Sequence, residues 1–129
     1  MPPKKFTIVH LEDSSDVTDL MTLIFENENI DYKPVHTVSD AFLCLEKDIP
    51  HLMLVDLCLE NDIDPEPGML FIKTAYHRYP GINMMVLSNR GDLWIIKKLE
   101  RYVIDYELKI FRPSIFKEKL IEMLNKMDL

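Results

Sequence analysis

The chain has 129 residues, of which 47% are apolar; this suffices for one sizeable core but not for two ordinary domains. Its net charge of −7 argues against direct nucleic-acid binding, because proteins that bind the phosphate backbone carry a basic surface. The sequence contains neither an apolar run of membrane-spanning length nor a signal peptide, and Cys44 and Cys58 are interpreted as free thiols. We therefore predict a single cytoplasmic domain over residues 1–129 without a membrane partner.

Short apolar runs alternate with segments of helical periodicity along the chain. The runs predict strands at residues 6–11, 32–38, 51–56, 82–87 and 106–111. Helices are predicted over residues 15–28, from Ser39 or Asp40 to just before Pro50, over 69–79, from Asp92 to Tyr102 or Val103, and from Pro113 onward. Pro34 lacks the N–H group that a sheet ladder needs, and this places the second strand at an edge.

This alternation predicts an α/β fold with a doubly wound, five-stranded parallel sheet covered by helices on both faces. With the second strand at an edge, the favoured strand order is 2-1-3-4-5, the flavodoxin-like arrangement, with a cleft between strands one and three. The carboxyl ends of the strands then carry five polar residues at one edge of the sheet: Glu12, Asp13, Asp56, Ser88 and Lys109.

These residue types are suited to phosphoryl transfer. Three crowded carboxylates raise one another's pKa or take up a cation, and Mg²⁺ is the hard cation that prefers a few carboxylate ligands. Asp56, at the end of an apolar run, has a carboxylate that can attack phosphorus to form an aspartyl phosphate. The Lys109 ammonium and the Ser88 hydroxyl would then stabilise the phosphoryl oxygens.

Each of these residues also has an ordinary structural interpretation. Asp56 could start a turn, and Glu12 and Asp13 could interact with the dipole of the helix that follows. Ser88 could be a loop hydroxyl and Lys109 a solvated charge. It is the convergence of all of them on one sheet edge that favours a site over these separate roles.

The sequence resembles the receiver domains of two-component response regulators over nearly its whole length. The resemblance rests on Leu11-Glu12-Asp13, Leu54-Val55-Asp56, Val86-Leu87-Ser88 and Asp105-Tyr106-Glu107-Leu108-Lys109-Ile110-Phe111. It implies that Asp56 is the phosphoacceptor. It also implies that Glu12, Asp13, Asp56 and the backbone carbonyl of Cys58 bind Mg²⁺, and that Lys109 and Ser88 contact the phosphoryl group.

The resemblance further implies a conformational switch and its partners. Tyr106 matches an aromatic residue that changes rotamer as Ser88 moves, although it could equally be a strand aromatic packed on the fourth helix. The phosphoryl group would come from a histidine kinase or a phosphotransfer protein. The output would be a homodimer or a target protein bound at the face formed by helix four, strand five and helix five, where we expect Trp94 to be partly exposed.

Several features depart from the family pattern. Ile110 replaces the proline that usually follows the lysine, so we expect a trans Lys109–Ile110 peptide. Asn89 replaces a smaller residue and is expected to narrow access to Asp56. The loop after Asp56 is long and acidic, with Glu60, Asp62, Asp64 and Glu66; it would tune metal affinity or attract a basic partner, or simply be a solvated loop.

Three functions remain open. The first is a signalling switch, not an enzyme acting on other substrates, that promotes only its own aspartyl phosphorylation and dephosphorylation. The second is a pseudo-receiver that binds proteins without phosphorylation, for which Ile110, Asn89 and the acidic loop after Asp56 are the main support. The third is a phosphohydrolase, but such an enzyme would need a second acid where Cys58 stands.

Overall fold

The computed structural model describes residues 6–59, 64–109 and 112–127. Strands and helices alternate through these residues. They are β1 Phe6–Leu11, α1 Ser15–Phe25, β2 Ile30–Val35, α2 Val38–Lys47, β3 Leu52–Val55, α3 Glu66–Arg78, β4 Met84–Ser88, α4 Leu93–Leu99, β5 Asp105–Leu108 and α5 Pro113–Met127. None of the helices in these parts of the chain has both the length and the apolar character that crossing a lipid bilayer requires.

The strands form one parallel sheet in the order β2-β1-β3-β4-β5. The predicted fold class and strand order are therefore confirmed. Pro34 lies in edge strand β2, opposite His10 of β1, where the missing N–H group disturbs no second neighbour. All four residues of β3 are buried, as expected for the central strand of a sheet covered on both faces.

Two apolar layers hold the helices against the sheet. One layer contains the buried side chains of α2, α3 and α4, among them Phe71, Ile72 and Leu99. The other layer packs α1 and α5 on the opposite face. Phe116, Leu120 and Leu124, which lie on one side of α5, are fully or almost fully buried there, and Met127 packs against that layer.

Several predicted boundaries are wrong by two to four residues. Helix α1 ends at Phe25 instead of residue 28, because the chain turns at Asn27, whose φ of 69° lies in the left-handed region that asparagine tolerates. Strand β2 consequently begins at Ile30. Thr37, not Ser39 or Asp40, caps α2: its hydroxyl oxygen accepts a hydrogen bond from the Asp40 amide at 3.0 Å.

Helices α3 and α4 also differ from the prediction. Helix α3 begins at Glu66 because the Asp64 carboxylate accepts a hydrogen bond from the Glu66 amide at 3.0 Å, and proline is favoured in a first turn. Helix α4 ends at Leu99 because the Tyr102 and Val103 amides both donate to the Leu99 carbonyl and turn the chain toward β5. Glu60, Asp62, Ile110 and Phe111 lie outside the described residues, so the predictions that concern them stay predictions.

Candidate functional site

Three carboxylates meet at the carboxyl edge of the sheet. Glu12 and Asp13 follow β1 and Asp56 follows β3, and these strands are neighbours with Leu11 opposite Val55. One oxygen from each carboxylate lies within 4.8 Å of the other two, and no other cluster of this kind occurs in the described parts of the chain. Glu12 and Asp56 are buried, whereas Asp13 is partly exposed.

Backbone hydrogen bonds hold this cluster on the sheet. The Asp56 amide donates to the Leu11 carbonyl at 3.0 Å, which fixes the start of the loop after β3 against the end of β1. The Cys58 amide donates to Asp56 Oδ1 at 3.3 Å. His36 Nδ1 lies 2.9 Å from the Glu12 carbonyl oxygen. The loop after β2 therefore supports the backbone of Glu12.

Lys109 supplies the positive charge of the cluster. It directly follows β5, and its Nζ lies 2.5 Å from Glu12 Oε1 and 3.3 Å from Asp56 Oδ2. Burial lowers the pKa of the Lys109 ammonium, but its hydrogen bond to Glu12 and the charge of Asp56 outweigh that effect, so the pKa is raised overall. The ammonium therefore stays charged at physiological pH and connects the end of β5 to the ends of β1 and β3, neither of which is a neighbour of β5.

The Glu12 carboxyl has a strongly raised pKa. Burial is the main cause that raises its pKa to about 7; the hydrogen bond to Asp56 adds to the increase and Lys109 opposes it. Its carboxyl is thus poised between the neutral and the ionised form at physiological pH. A nearby divalent cation would favour the ionised form.

A cleft of about 430 Å³ opens beside these groups. It is lined by Glu12, Asp13, Ser14, Val17, Asp56, Cys58, Asn89 and Lys109. Asn89 therefore does border the approach to Asp56. Ser88, the last residue of β4, is fully buried, and its hydroxyl oxygen accepts a hydrogen bond from the Arg90 amide at 3.1 Å.

The loop after β4 is tied to β5 through Tyr106. The Tyr106 hydroxyl donates a hydrogen bond to the Arg90 carbonyl, and burial raises the pKa of this hydroxyl to about 12. The Arg90 guanidinium in turn binds the Asp92 carboxylate through Nε at 2.9 Å and a terminal nitrogen at 3.1 Å. Ser88 and Tyr106 thus both contact the main chain of one residue.

Removing the Tyr106 hydroxyl is expected to loosen this loop. Tyr106→Phe should lower the free energy of unfolding by about 0.5–1.5 kcal/mol, the usual net contribution of one hydrogen bond, and should speed amide hydrogen exchange at Arg90. Urea unfolding and exchange measured by NMR would test this. Tyr102→Phe is the control, because the Tyr102 ring packs edge-on against Tyr76; an equal change in both variants would contradict the assigned role of the hydroxyl.

Sequence reasoning missed two residues of the site. The sequence pattern assigned no site role to His36 or to Arg90. The only signal for His36 is its position immediately after β2, at the same sheet edge as the acids. Arg90 lies two residues after Ser88, but nothing in the sequence indicates that its backbone joins Ser88 to Tyr106.

The exposure predicted for Trp94 is confirmed. Its side chain is 47% exposed and that of the neighbouring Leu93 is 67% exposed. Both lie in the first turn of α4, directly after the loop that carries Arg90. This helix start therefore presents apolar surface next to the segment that Ser88 and Tyr106 contact.

The chain matches no model of a protein family and no curated protein. Solved structures do match it. A CheY-like response regulator receiver domain protein from Methanospirillum hungatei is 20% identical, with a TM-score of 0.81 and coverage of 95% of this chain and 96% of that chain. The BeF3-activated N-terminal receiver domain of RstA from Klebsiella pneumoniae is 24% identical, with a TM-score of 0.76 and coverage of 92% and 97%.

A longer protein, NtrX from Brucella abortus, is 18% identical with a TM-score of 0.80; the match covers 95% of this chain but only 28% of NtrX. At these identities the similarity establishes the fold. The chain has the fold of response regulator receiver domains, and the resemblance drawn from its sequence motifs is confirmed at that level.

Proposed function

We propose that this chain is a phosphorylatable receiver domain in which Asp56 accepts a phosphoryl group from a histidine kinase or a histidine phosphotransfer protein in the cytoplasm. The observation that carries the proposal is the environment of the Asp56 carboxylate. Two further acids have an oxygen within 4.8 Å of it, the Lys109 ammonium lies 3.3 Å from Oδ2, and the cleft is lined by all of these groups. Each group needed to accept and stabilise a phosphoryl group is thus present around one nucleophile.

The donor set fits Mg²⁺. Three carboxylates and one ammonium give a net charge of −2 when all four are ionised, and carboxylate oxygens are the ligands that this ion prefers. Glu12, Asp13, Asp56 and the backbone carbonyl of Cys58 would hold it. When bound, the ion would neutralise charge on the phosphoryl oxygens.

The transfer forms a P–O bond and breaks a P–N bond. An oxygen of the ionised Asp56 carboxylate attacks phosphorus, and the electron pair of the breaking bond returns to the imidazole nitrogen of the donor. Lys109, already beside Asp56, stabilises the charge on the phosphoryl oxygens without reorganising. Water later attacks the aspartyl phosphate and resets the domain, so the chain turns over no substrate other than its own phosphoryl group.

The switch would act through the loop after β4. Phosphoryl oxygens attract Lys109 and the Ser88 hydroxyl, and a shift of Ser88 changes its hydrogen bond to the Arg90 amide. Because the Tyr106 hydroxyl binds the carbonyl of the same residue, the two side chains move together. The change would reach the surface formed by α4, β5 and α5, including Trp94, through which the chain would bind a second copy or a target protein.

Intact-mass measurement after incubation with phosphoramidate and Mg²⁺ tests the proposal. The wild-type chain should gain the mass of one phosphoryl group. Once the metal is chelated, the chain should lose this group only slowly. Asp56→Asn should gain no phosphoryl group. Asp16→Asn, which changes an exposed acid of α1, is the matched control and should react like wild type. No adduct from any donor, kinases included, would support the pseudo-receiver instead, and steady hydrolysis of phosphoesters would indicate a phosphohydrolase.

A further inference from the structure

Gly68, in the first turn of α3, packs directly on the main chain of the residue that would be phosphorylated. A Cβ atom added at Gly68 would overlap Leu57 Cα and lie 2.7 Å from the Leu57 carbonyl oxygen and 2.9 Å from the Asp56 carbonyl oxygen. All three are backbone atoms, so no side chain can rotate away to make room. The Gly68 amide also donates to the Leu57 carbonyl at 3.3 Å.

Neither helix α3 nor the Asp56–Leu57 segment can easily move away from this contact. Helix α3 is anchored in the core by Met69, Phe71 and Ile72, which are at most 2% exposed. On the other side, Leu57 is fully buried and the Asp56 amide is bonded to the Leu11 carbonyl. The Asp56–Leu57 segment is therefore held between the end of β1 and the first turn of α3.

We propose that Gly68 is a positioning residue for the candidate site. The close approach that it permits sets where the main chain of residues 56–58 lies relative to β1. This placement fixes the distance from the Asp56 carboxylate to Glu12 and Lys109. The inference rests on the proposed function, since it assigns Gly68 to the geometry of the same metal-binding and phosphoacceptor site.

Gly68→Ala should weaken Mg²⁺ binding by about 10–100-fold, the range found when groups that orient metal ligands are changed. Backbone amide resonances of Asp56, Leu57 and Cys58 should shift even without metal. Gly81→Ala is the control. Its φ of +85° makes alanine unfavourable there, but an added Cβ has no atom within 4 Å, so this variant should lose stability while keeping wild-type Mg²⁺ affinity.

A second pair of variants covers the case in which Gly68→Ala does not fold. Met69→Ala leaves a cavity under the first turn of α3 and should weaken Mg²⁺ binding several-fold as the turn relaxes. Leu124→Ala leaves a cavity in the layer under α5 on the opposite face of the sheet and should destabilise the chain by a similar amount without changing Mg²⁺ affinity.

Calorimetric Mg²⁺ titration and amide NMR spectra distinguish the outcomes. Wild-type affinity and unshifted Asp56–Cys58 resonances in a folded Gly68→Ala variant would overturn the positioning role, as would equal Mg²⁺ affinity in Met69→Ala and Leu124→Ala. If the wild-type chain itself bound no Mg²⁺, the proposed function would fail. The shift of the metal-free amide resonances would still decide the role of Gly68.

Discussion

Lys109→Met is expected to lower the free energy of unfolding by about 3 kcal/mol near neutral pH in the absence of metal. Glu12 is fully buried and the Lys109 side chain is only 14% exposed, so the variant leaves a buried negative charge without its partner, and such losses cost about 3–5 kcal/mol. Urea denaturation followed by circular dichroism measures the loss. The lower end of that range applies because Asp13 and the cleft give the cluster some access to water.

The loss should depend on pH. The pKa of Glu12 in the folded chain is about 7, above the unfolded value, so the folded state binds more protons than the unfolded chain between about pH 4.5 and pH 7. Its stability relative to the unfolded chain therefore rises as the pH falls through this range. A neutral Glu12 carboxyl is no longer stabilised by the charge of the Lys109 ammonium. The loss of unfolding free energy caused by Lys109→Met should therefore be smaller at pH 5.5 than at pH 8 by roughly 1 kcal/mol or more.

Lys119→Met is the matched control for this substitution. Lys119 also binds two acids, Asp105 and Glu107, but its side chain is 41% exposed. Pairs at exposed sites contribute only about 0–1 kcal/mol, so this variant should lose little stability and show no comparable pH dependence. Equal losses in the two lysine variants would contradict the assignment of Lys109 to a buried cluster.

Mg²⁺ is expected to raise the melting temperature of the wild-type chain by several degrees. A ligand that binds only the folded state stabilises it by about 2.7 kcal/mol at a concentration one hundred times its Kd. For a domain of this size each 1 kcal/mol shifts the melting temperature by roughly 3–6 °C. Differential scanning calorimetry with Mg²⁺, and with EDTA to remove it, measures the shift.

Asp13→Asn should abolish most of this response, because it removes one of the three clustered carboxylates. It should also raise the metal-free melting temperature slightly, since fewer like charges are then held together. Asp16→Asn removes an exposed acid three residues further on and should respond to Mg²⁺ like wild type. An unchanged melting temperature in wild-type protein at millimolar Mg²⁺ would contradict the metal assignment.

The architecture was predictable because two local signals sufficed. The alternation of apolar runs with helical segments indicated a parallel sheet covered on both faces, and Pro34 indicated an edge strand; together with right-handed crossovers these favour the observed strand order. The element ends were less predictable. The left-handed backbone at Asn27 and the hydrogen bond that caps α2 at Thr37 are local features for which neighbouring residues were equally plausible candidates.

The location of the site followed from the fold, but the contacts within it did not. Parallel topology brings strand ends together, so the positions of Glu12, Asp13, Asp56 and Lys109 could be anticipated. That Lys109 binds Glu12 more closely than Asp56 depends on side-chain packing between strands that are far apart in sequence.

The supporting contacts of His36, Arg90 and Gly68 could not be predicted from the sequence either. Each joins a backbone atom to a residue that is distant in the sequence. Such contacts have no periodicity or composition that a sequence pattern can reveal. They become visible only once the chain is folded.

The most direct test of the central claim is to identify the residue that carries the phosphoryl group. Borohydride reduces an acyl phosphate of aspartate to homoserine, a stable mark that survives digestion. After reaction of the wild-type chain with phosphoramidate and Mg²⁺, reduction followed by peptide mass spectrometry should place this mark at position 56. A mark at any other residue, or none in protein shown to bind Mg²⁺, would contradict the assignment of Asp56 as the phosphoacceptor.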